Sequence, residues 1–331
     1  MTSVYDLSQN HITYDGSISR TYIIDCLKQN INVLWHMFHL NSITKYDILA
    51  ENPDSMPLLL IACYYGRYDH LYEFIEKLQT TMNCKEFVKH KHNKFLNPMS
   101  AKEIMSVVNK DGENLLYIAC NEGHTNIIKM LIEKFKLTKN DVFHETKSGF
   151  TPFSVLCSNS RIDLIDYFIQ TFNLQTEDIF HWKDRKFDWT HLARACAMNH
   201  IEVVQLLINY LIKNNKPVKE YIMATNIFGM NSLMYSCINH NNVYLPLVQL
   251  ILSHCDSITK EDILKKDNQG RTILHHASRG GCITTMQLFL QLGNIKKEDI
   301  YSSEMKDIHG KTIMDLSQNK MMEDFLSSVI V

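Results

Sequence analysis

The chain has 331 residues, of which 45% are hydrophobic and 21% charged, with only 11 Gly and 6 Pro; this composition excludes a disordered or collagen-like chain and favours helix. Its 34 basic and 36 acidic side chains leave a formal charge of -2, so no global field draws it to nucleic acid or an anionic membrane, and neither is an expected partner.

The opening stretch MTSVYDLSQNHITYDG lacks the basic and apolar regions of a secretory signal, and the longest apolar run, MPLLLIACYY at 56–65, is too short to span a bilayer. An intracellular protein is expected. Nine Cys, an odd number, then read as reduced thiols rather than a disulfide framework.

The thiols set a register. Cys26, Cys63, Cys120, Cys157, Cys196 and Cys237 superpose with Ser278 and Gln318 at separations of 37, 57, 37, 39, 41, 41 and 40 residues. The residue before each is usually small, as at Ala62, Ala119, Ala195, Ser236, Ala277 and Ser317, with Asp25 and Leu156 as departures. Eight positions past this column come Leu34, Leu71, Ile128, Ile165, Val204, Met286 and Leu326, followed by pairs such as Leu131 and Ile132. Such i, i+3, i+4 spacing is one apolar face of a helix, so each unit is predicted to be two antiparallel helices joined by a turn.

In chain order, a tail over 1–17 leads into a degenerate first unit at 18–41 that serves as the N-terminal cap. Repeats follow at about 42–80, 99–136, 137–173, 174–216, 217–256 and 257–293, closed by a capping repeat at 294–331. The 57-residue gap holds an insertion at 81–98. In the Cys237 unit, three extra residues within NHNNVYLP at 239–246 place Pro246 in the first turn of its second helix, where a missing N–H costs little.

Turns precede the helix pairs: NKDGEN (109–114), TKSGFT (146–151), TNIFGMN (225–231), KDNQGRT (266–272) and KDIHGKT (306–312). Glycine supplies the positive φ, and the Thr or Asn that follows suits a helix N-cap. A second recurring element lies before each turn: SITKYDIL (42–49), MSAKEIM (99–105), LTKNDVF (137–143), LQTEDIF (174–180), PVKEYIM (217–223), SITKEDIL (257–264) and IKKEDIY (295–301). Thr44 with Asp47, Ser100 with Glu103, Thr138 with Asp141 and Thr259 with Asp262 have capping-box spacing, which predicts a short third helix in each inter-repeat loop.

DNQGRTILHHASRGG (267–281) and KDGENLLYIACNEGHTNIIKMLIEKF (110–135) resemble the ankyrin repeat, a turn and helix of the form D-x-x-G-x-T-P-L-H-x-A-A followed by G-H and a second helix. The resemblance covers about 55–331 and implies an all-α ankyrin-repeat solenoid of helix-turn-helix units. Ser160 replaces the inter-helix Gly in the third repeat, and Asp188 replaces the turn Gly in the fourth. Ankyrin units run nearer 33 residues, so the short third helix is the addition. This elongated style resembles the ankyrin proteins of giant DNA viruses of amoebae, of the mimivirus kind, which implies a host protein as partner and the host cytoplasm as location.

Cys120 with His124, and Cys196 with His200, share a C-x-x-x-H spacing. Zinc requires three or four converging ligands, whereas the repeat puts each Cys in a column of small buried residues, a role free Cys fills well. His124 falls in the turn that opens the second helix. No phosphate loop, H-E-x-x-H or G-x-S-x-G motif is present, so no cofactor, metal or small-molecule substrate is expected; an enzyme using a Cys and His pair is the alternative of a different class. His275 is expected to hydrogen-bond within its own turn.

Two segments stand out as surfaces. CKEFVKHKHNKF (84–95) gathers Lys85, Lys89, Lys91 and Lys94 with His90 and His92, which reads as a solvated loop or a site for an acidic partner or nucleic acid. FHWKDRKFDWTH (180–191) surrounds Lys183, Arg185 and Lys186 with Phe180, Trp182, Phe187 and Trp189. Trp and Arg are enriched at interface hot spots. Trp182, Lys183, Arg185 and Trp189 are therefore candidate partner contacts, the competing reading being that the aromatics fill an irregular turn.

The expected protein is a monomeric, non-enzymatic scaffold that binds another protein through concave face and turn tips. A substrate adaptor for a host ubiquitin ligase is its narrower form.

Overall fold

The computed structural model describes residues 20–29, 48–49, 56–80, 98–238, 244–255, 258–302, 305–317 and 319–330. It falls into two compact units, Met1–Val155 and Leu156–Val331. The described residues form helices and no strand. None of these helices is long and apolar enough to cross a membrane.

In the first unit α1 (Arg20–Gln29) precedes the pair α2 (Leu58–Tyr64) and α3 (Tyr68–Gln79), the short α4 (Ala101–Met105), the pair α5 (Leu115–Glu122) and α6 (Thr125–Phe135), and the short α7 (Lys139–Val142). The unit boundary lies within α8 (Pro152–Ser158). The second unit continues with α9 (Ile162–Thr171) and the short α10 (Thr176–Phe180), then α11 (His191–Ala197) and α12 (Ile201–Lys213) with the short α13 (Val218–Met223). It goes on with α14 (Ser232–Tyr235), α15 (Leu245–Ser253) and the short α16 (Lys260–Leu264), then α17 (Ile273–Gly280), α18 (Ile283–Leu292), the short α19 (Lys297–Tyr301) and α20 (Lys320–Ile330).

The core follows the register of the thiols. Cys26, Cys63, Cys120, Cys157, Cys196, Cys237 and Ser278 are buried, as are Leu71, Ile128, Ile165, Val204, Met286 and Leu326 eight positions on. Gln318, Leu34, Thr44, Asp47 and nearly all of the 81–98 insertion lie outside the described residues. At the other end of the column Asp25, half-exposed, sits within 3.8 Å of Lys28.

First helices are capped as the turn chemistry predicts at Asn114, Thr151 and Asn231, and Thr190 caps α11 in the same way; each accepts the backbone N–H three residues on, at 2.9 to 3.1 Å. Five of the six described third helices start on carboxylates: Glu103, Asp141, Asp178, Asp262 and Asp299 accept the N–H of the residue three before, at 2.7 to 2.8 Å, whereas α13 starts on Pro217 without a side-chain cap. Asp262 and Asp299 also bind, at 2.6 Å, Lys219 and Lys260 of the preceding short-helix segments. The added short helices are thus linked to one another by part-buried ion pairs, Lys219 with Asp262 and Lys260 with Asp299.

Two units depart from the helix pair. In the Cys237 unit α14 has only four residues; Ser236 Oγ bonds back to the Leu233 carbonyl at 2.7 Å, a local alternative to continuing the helix. In the last repeat 313–316 forms turns rather than a helix. There Ser317 N–H closes on Met314 at 3.0 Å, and Asn319 accepts the Met322 N–H at 2.7 Å to start α20. Where Ser160 and Asp188 replace glycine the backbone still takes positive φ, 53° and 56°, so the turn geometry outlasts the residue that favours it.

Candidate functional site

The C-x-x-x-H pairs resolve into packing between repeats. His124 and His200 occupy the N-cap positions of α6 and α12 without capping them. Their Nε2 atoms instead lie 2.9 Å from the Tyr64 carbonyl and 2.7 Å from the Ser158 carbonyl, each the residue after a column cysteine of the preceding repeat. Arg67, four residues past Cys63, donates to the Leu27 carbonyl just after Cys26. Tyr244, displaced by the three-residue insertion, donates its hydroxyl to Ala197 just after Cys196 at 3.1 Å.

The column itself works in the other direction. Cys63 Sγ donates to the Leu115 carbonyl at 3.4 Å, and Ser278 Oγ to the Ile313 carbonyl at 2.7 Å; in each case the acceptor is the residue after the next repeat's N-cap position. At these two positions a small buried donor serves, and Ser fills the place as well as Cys does. Burial pushes the thiols of Cys63, Cys120, Cys157 and Cys196 far up and that of Cys237 to about 12, so these groups stay protonated rather than nucleophilic. Among the described residues no three His, Cys, Asp or Glu side chains converge to hold a metal.

His275 bonds within its own turn. Its Nδ1 accepts the Thr272 N–H at 3.1 Å, while Nε2 reaches the Met305 carbonyl of the next turn at 3.2 Å. Burial holds it down to about 4.

The aromatic turn between α10 and α11 is organised by Asp184. In the other Asx-led turns the leading residue closes on the fourth residue after it, as Asn226 with Met230 and Asp267 with Arg271; Asp184 closes on Trp189, one residue further. The extra residue is accommodated by the Asp184 carboxylate. Oδ1 accepts the N–H groups of Lys186 at 3.1 Å and Phe187 at 2.7 Å, while Oδ2 accepts that of Trp189 and pairs with buried Arg194 at 3.2 Å. Asp184 and Arg194 thus occupy the places taken by Asn226 and Tyr235 (2.7 Å) and by Asp267 and His276 (2.9 Å) in later repeats. These pairings were not read from the sequence, although the spacing from N-cap to fourth helical residue is constant and could have revealed them.

Of the candidate contacts, Lys183 and Arg185 are exposed and Trp182 and Trp189 half-buried. Trp182 stacks on His191 with centroids 4.3 Å apart, and burial holds that imidazole down to about 3. Trp189 packs on Tyr235 at 4.3 Å and under the Arg194 guanidinium at 5.3 Å. The turn leans on its successor: Ile227 N–H donates to Phe187, Lys183 Nζ to Thr225, and the Phe187 and Phe228 rings lie 5.6 Å apart. The indoles are supports for the turn, and its cations are what it presents to solvent. The 84–95 segment lies outside the described residues.

The family described as Ankyrin repeats (3 copies) matches residues 24–178 and 209–300, more than half of the chain. No curated protein matches. Among solved structures, the ankyrin repeat protein EF0377 superposes with a TM-score of 0.50 at 20% identity, covering 71% of this chain and 97% of its own. The human ASB11 ankyrin repeat domain gives 0.52 at 18% identity, with 82% and 97% covered. At such identities these likenesses concern the fold alone.

Proposed function

The chain belongs to the ankyrin repeat family, and from that premise we propose that it is a monomeric, non-enzymatic scaffold that captures a partner protein on the turn tips and first helices of its repeats. Ankyrin repeats are generally protein-interaction modules, and in such an array each repeat contacts its neighbours, leaving an extended surface rather than a cleft. The observation that carries the proposal is the Asp184 turn. Its carboxylate and both indoles are spent on holding the loop, and Lys183, Arg185 and Lys186 are held out on a braced backbone. Preorganised cations beside half-exposed aromatic rings suit recognition. Trp182, Lys183, Arg185 and Trp189 are accordingly the proposed contact set.

The protonated column thiols and the depressed His191 and His275 support binding over Cys- and His-dependent chemistry. The repeat boundaries drawn from the sequence stand as part of the proposal. The elongated repeats, resembling those of giant DNA viruses of amoebae, extend it to a host protein as partner in the host cytoplasm. A ubiquitin-ligase adaptor is the narrower form, tested by co-capture of a ligase subunit. Affinity capture from host cells with wild type and with Lys183→Glu plus Arg185→Glu, read by mass spectrometry, tests the whole. A partner held by wild type and lost by the variant is expected; equal capture by both removes this turn from the contact set.

A further inference from the structure

The turns of the second unit line up in a row. Ile227 N–H donates to Phe187, Asn268 N–H to Phe228 at 2.9 Å and Ile308 N–H to Gln269 at 3.0 Å, so the four tips at 183–189, 225–230, 265–271 and 306–311 form one edge. The exposed charged side chains of these four tips are Lys183, Arg185, Lys186, Lys265, Lys266, Lys306 and Lys311, all basic, in a chain whose net charge is -2; an exposed carboxylate, Asp315, follows the last tip and faces Lys311 and Lys306.

Three of its acidic groups point inward: Asp184 to Arg194, Asp267 to His276 and Asp307 to Arg271. Asp188 is half-buried. In the first unit the tips at 110–113 and 147–148 carry Lys110 and Lys147 against Asp111 and Glu113, so the bias belongs to the second unit.

Between the cations the edge exposes apolar side chains. Ile227, Phe228 and Ile308 are 48%, 42% and 62% accessible, and the turn holding the first two has no charge. A phosphate backbone presents charge at every residue and gains nothing from an exposed isoleucine, whereas a peptide can alternate carboxylates with apolar groups.

We propose that this turn edge is a docking surface for an acidic protein segment carrying apolar side chains between its carboxylates. The proposal rests on the scaffold reading above and adds the chemistry of the partner. Carboxylates pair with the lysines at either end and raise the encounter rate at low salt, and the apolar residues cover Ile227, Phe228 and Ile308.

The test pans a random peptide display library against the immobilised full chain, with mixed-sequence single-stranded DNA as a second probe. Selected peptides should be rich in Asp and Glu with interspersed Leu, Phe or Trp. Their affinity should fall by about tenfold or more in Lys265→Glu, Lys306→Glu, Lys311→Glu, and fall again in Ile227→Ser, Ile308→Ser, while circular dichroism and melting stay unchanged. Neutral or basic peptides, or affinity indifferent to these changes, overturn the edge and leave the scaffold reading standing. Failure to select any peptide overturns both. DNA binding through the same lysines without a peptide ligand overturns the proposal in favour of nucleic acid.

Discussion

The Nε2 of His200 lies 2.7 Å from the carbonyl oxygen of Ser158, bridging the opening of one second helix to the end of the first helix in the repeat before. His124 repeats the contact on Tyr64, and Tyr244 supplies it with a hydroxyl on Ala197. A residue type that suggests a metal ligand by spacing is therefore a hydrogen-bonding strap between neighbours. His200→Ala should lower the unfolding free energy by about 1 kcal/mol, and a chelator should leave the melting temperature of the wild type unchanged. A melt that drops on chelation would reinstate a metal at these pairs.

The donor column makes a second prediction. Cys63→Ser should keep a hydrogen bond to Leu115, as Ser278 does to Ile313, whereas Cys63→Val should lose it and overpack, at a cost of about 1–3 kcal/mol. In a Cys84→Ser background a thiol reagent should label the native protein only as fast as it opens, because all eight other cysteines are buried. Rapid labelling of Cys120 under native conditions would contradict this.

Asp184 and Arg194 form a buried pair that also closes a turn. Asp184→Ala should cost about 3 kcal/mol or more, since it strands a buried guanidinium. Asp184→Asn with Arg194→Tyr rebuilds the pairing of Asn226 with Tyr235 and should recover much of that loss in urea unfolding. A double variant no more stable than Asp184→Ala would break the equivalence of the two turns.

Stability should fall on mild acidification. His191 and His275 are held by burial to about 3 and about 4 from an ordinary 6.5, so between those values the unfolded chain takes up protons that the folded chain refuses. Their contribution is complete above about pH 6.5 and is lost as pH falls towards 4, on the order of 3 kcal/mol for each by pH 4. At His275 the geometry acts in the same direction as burial: a proton on Nδ1 would face the Thr272 N–H that now donates to it. Asp267 adds a later loss. Burial opposes its ionisation, but the bonds from His276, Arg271 and Gln269 outweigh it and hold its carboxyl low. Urea midpoints at about pH 7 and 4.5 measure the slope, and His191→Asn, which keeps a donor for the Ile179 carbonyl, should flatten it. A midpoint independent of pH would contradict the neutral imidazoles.

Much of this was legible because the repeat writes the same local chemistry several times over. The N-caps Asn114, Thr151 and Asn231 and the third helices rest on contacts within one repeat, and the thiol column and the apolar positions eight residues on return at a near-constant period, so spacing reveals them. What escaped lies between repeats or in turn length. Tyr244 as the equivalent of His200 is visible only after the insertion is subtracted, and the single extra residue in the Asp184 turn hides the match of Arg194 with Tyr235 and His276. Trp182 and Trp189 show why composition is ambiguous at such a place. Rings that look like contact anchors pack on His191 and Tyr235, and the proposed contact set depends on what they leave exposed.

Hydrogen–deuterium exchange of the full chain, alone and with the partner captured from host cells, tests the central claim most directly. Slowed exchange over the tips at 183–189 and 225–230 is the predicted result. Protection confined to the second helices α9 and α12, with these turns unchanged, would contradict binding at the turn tips.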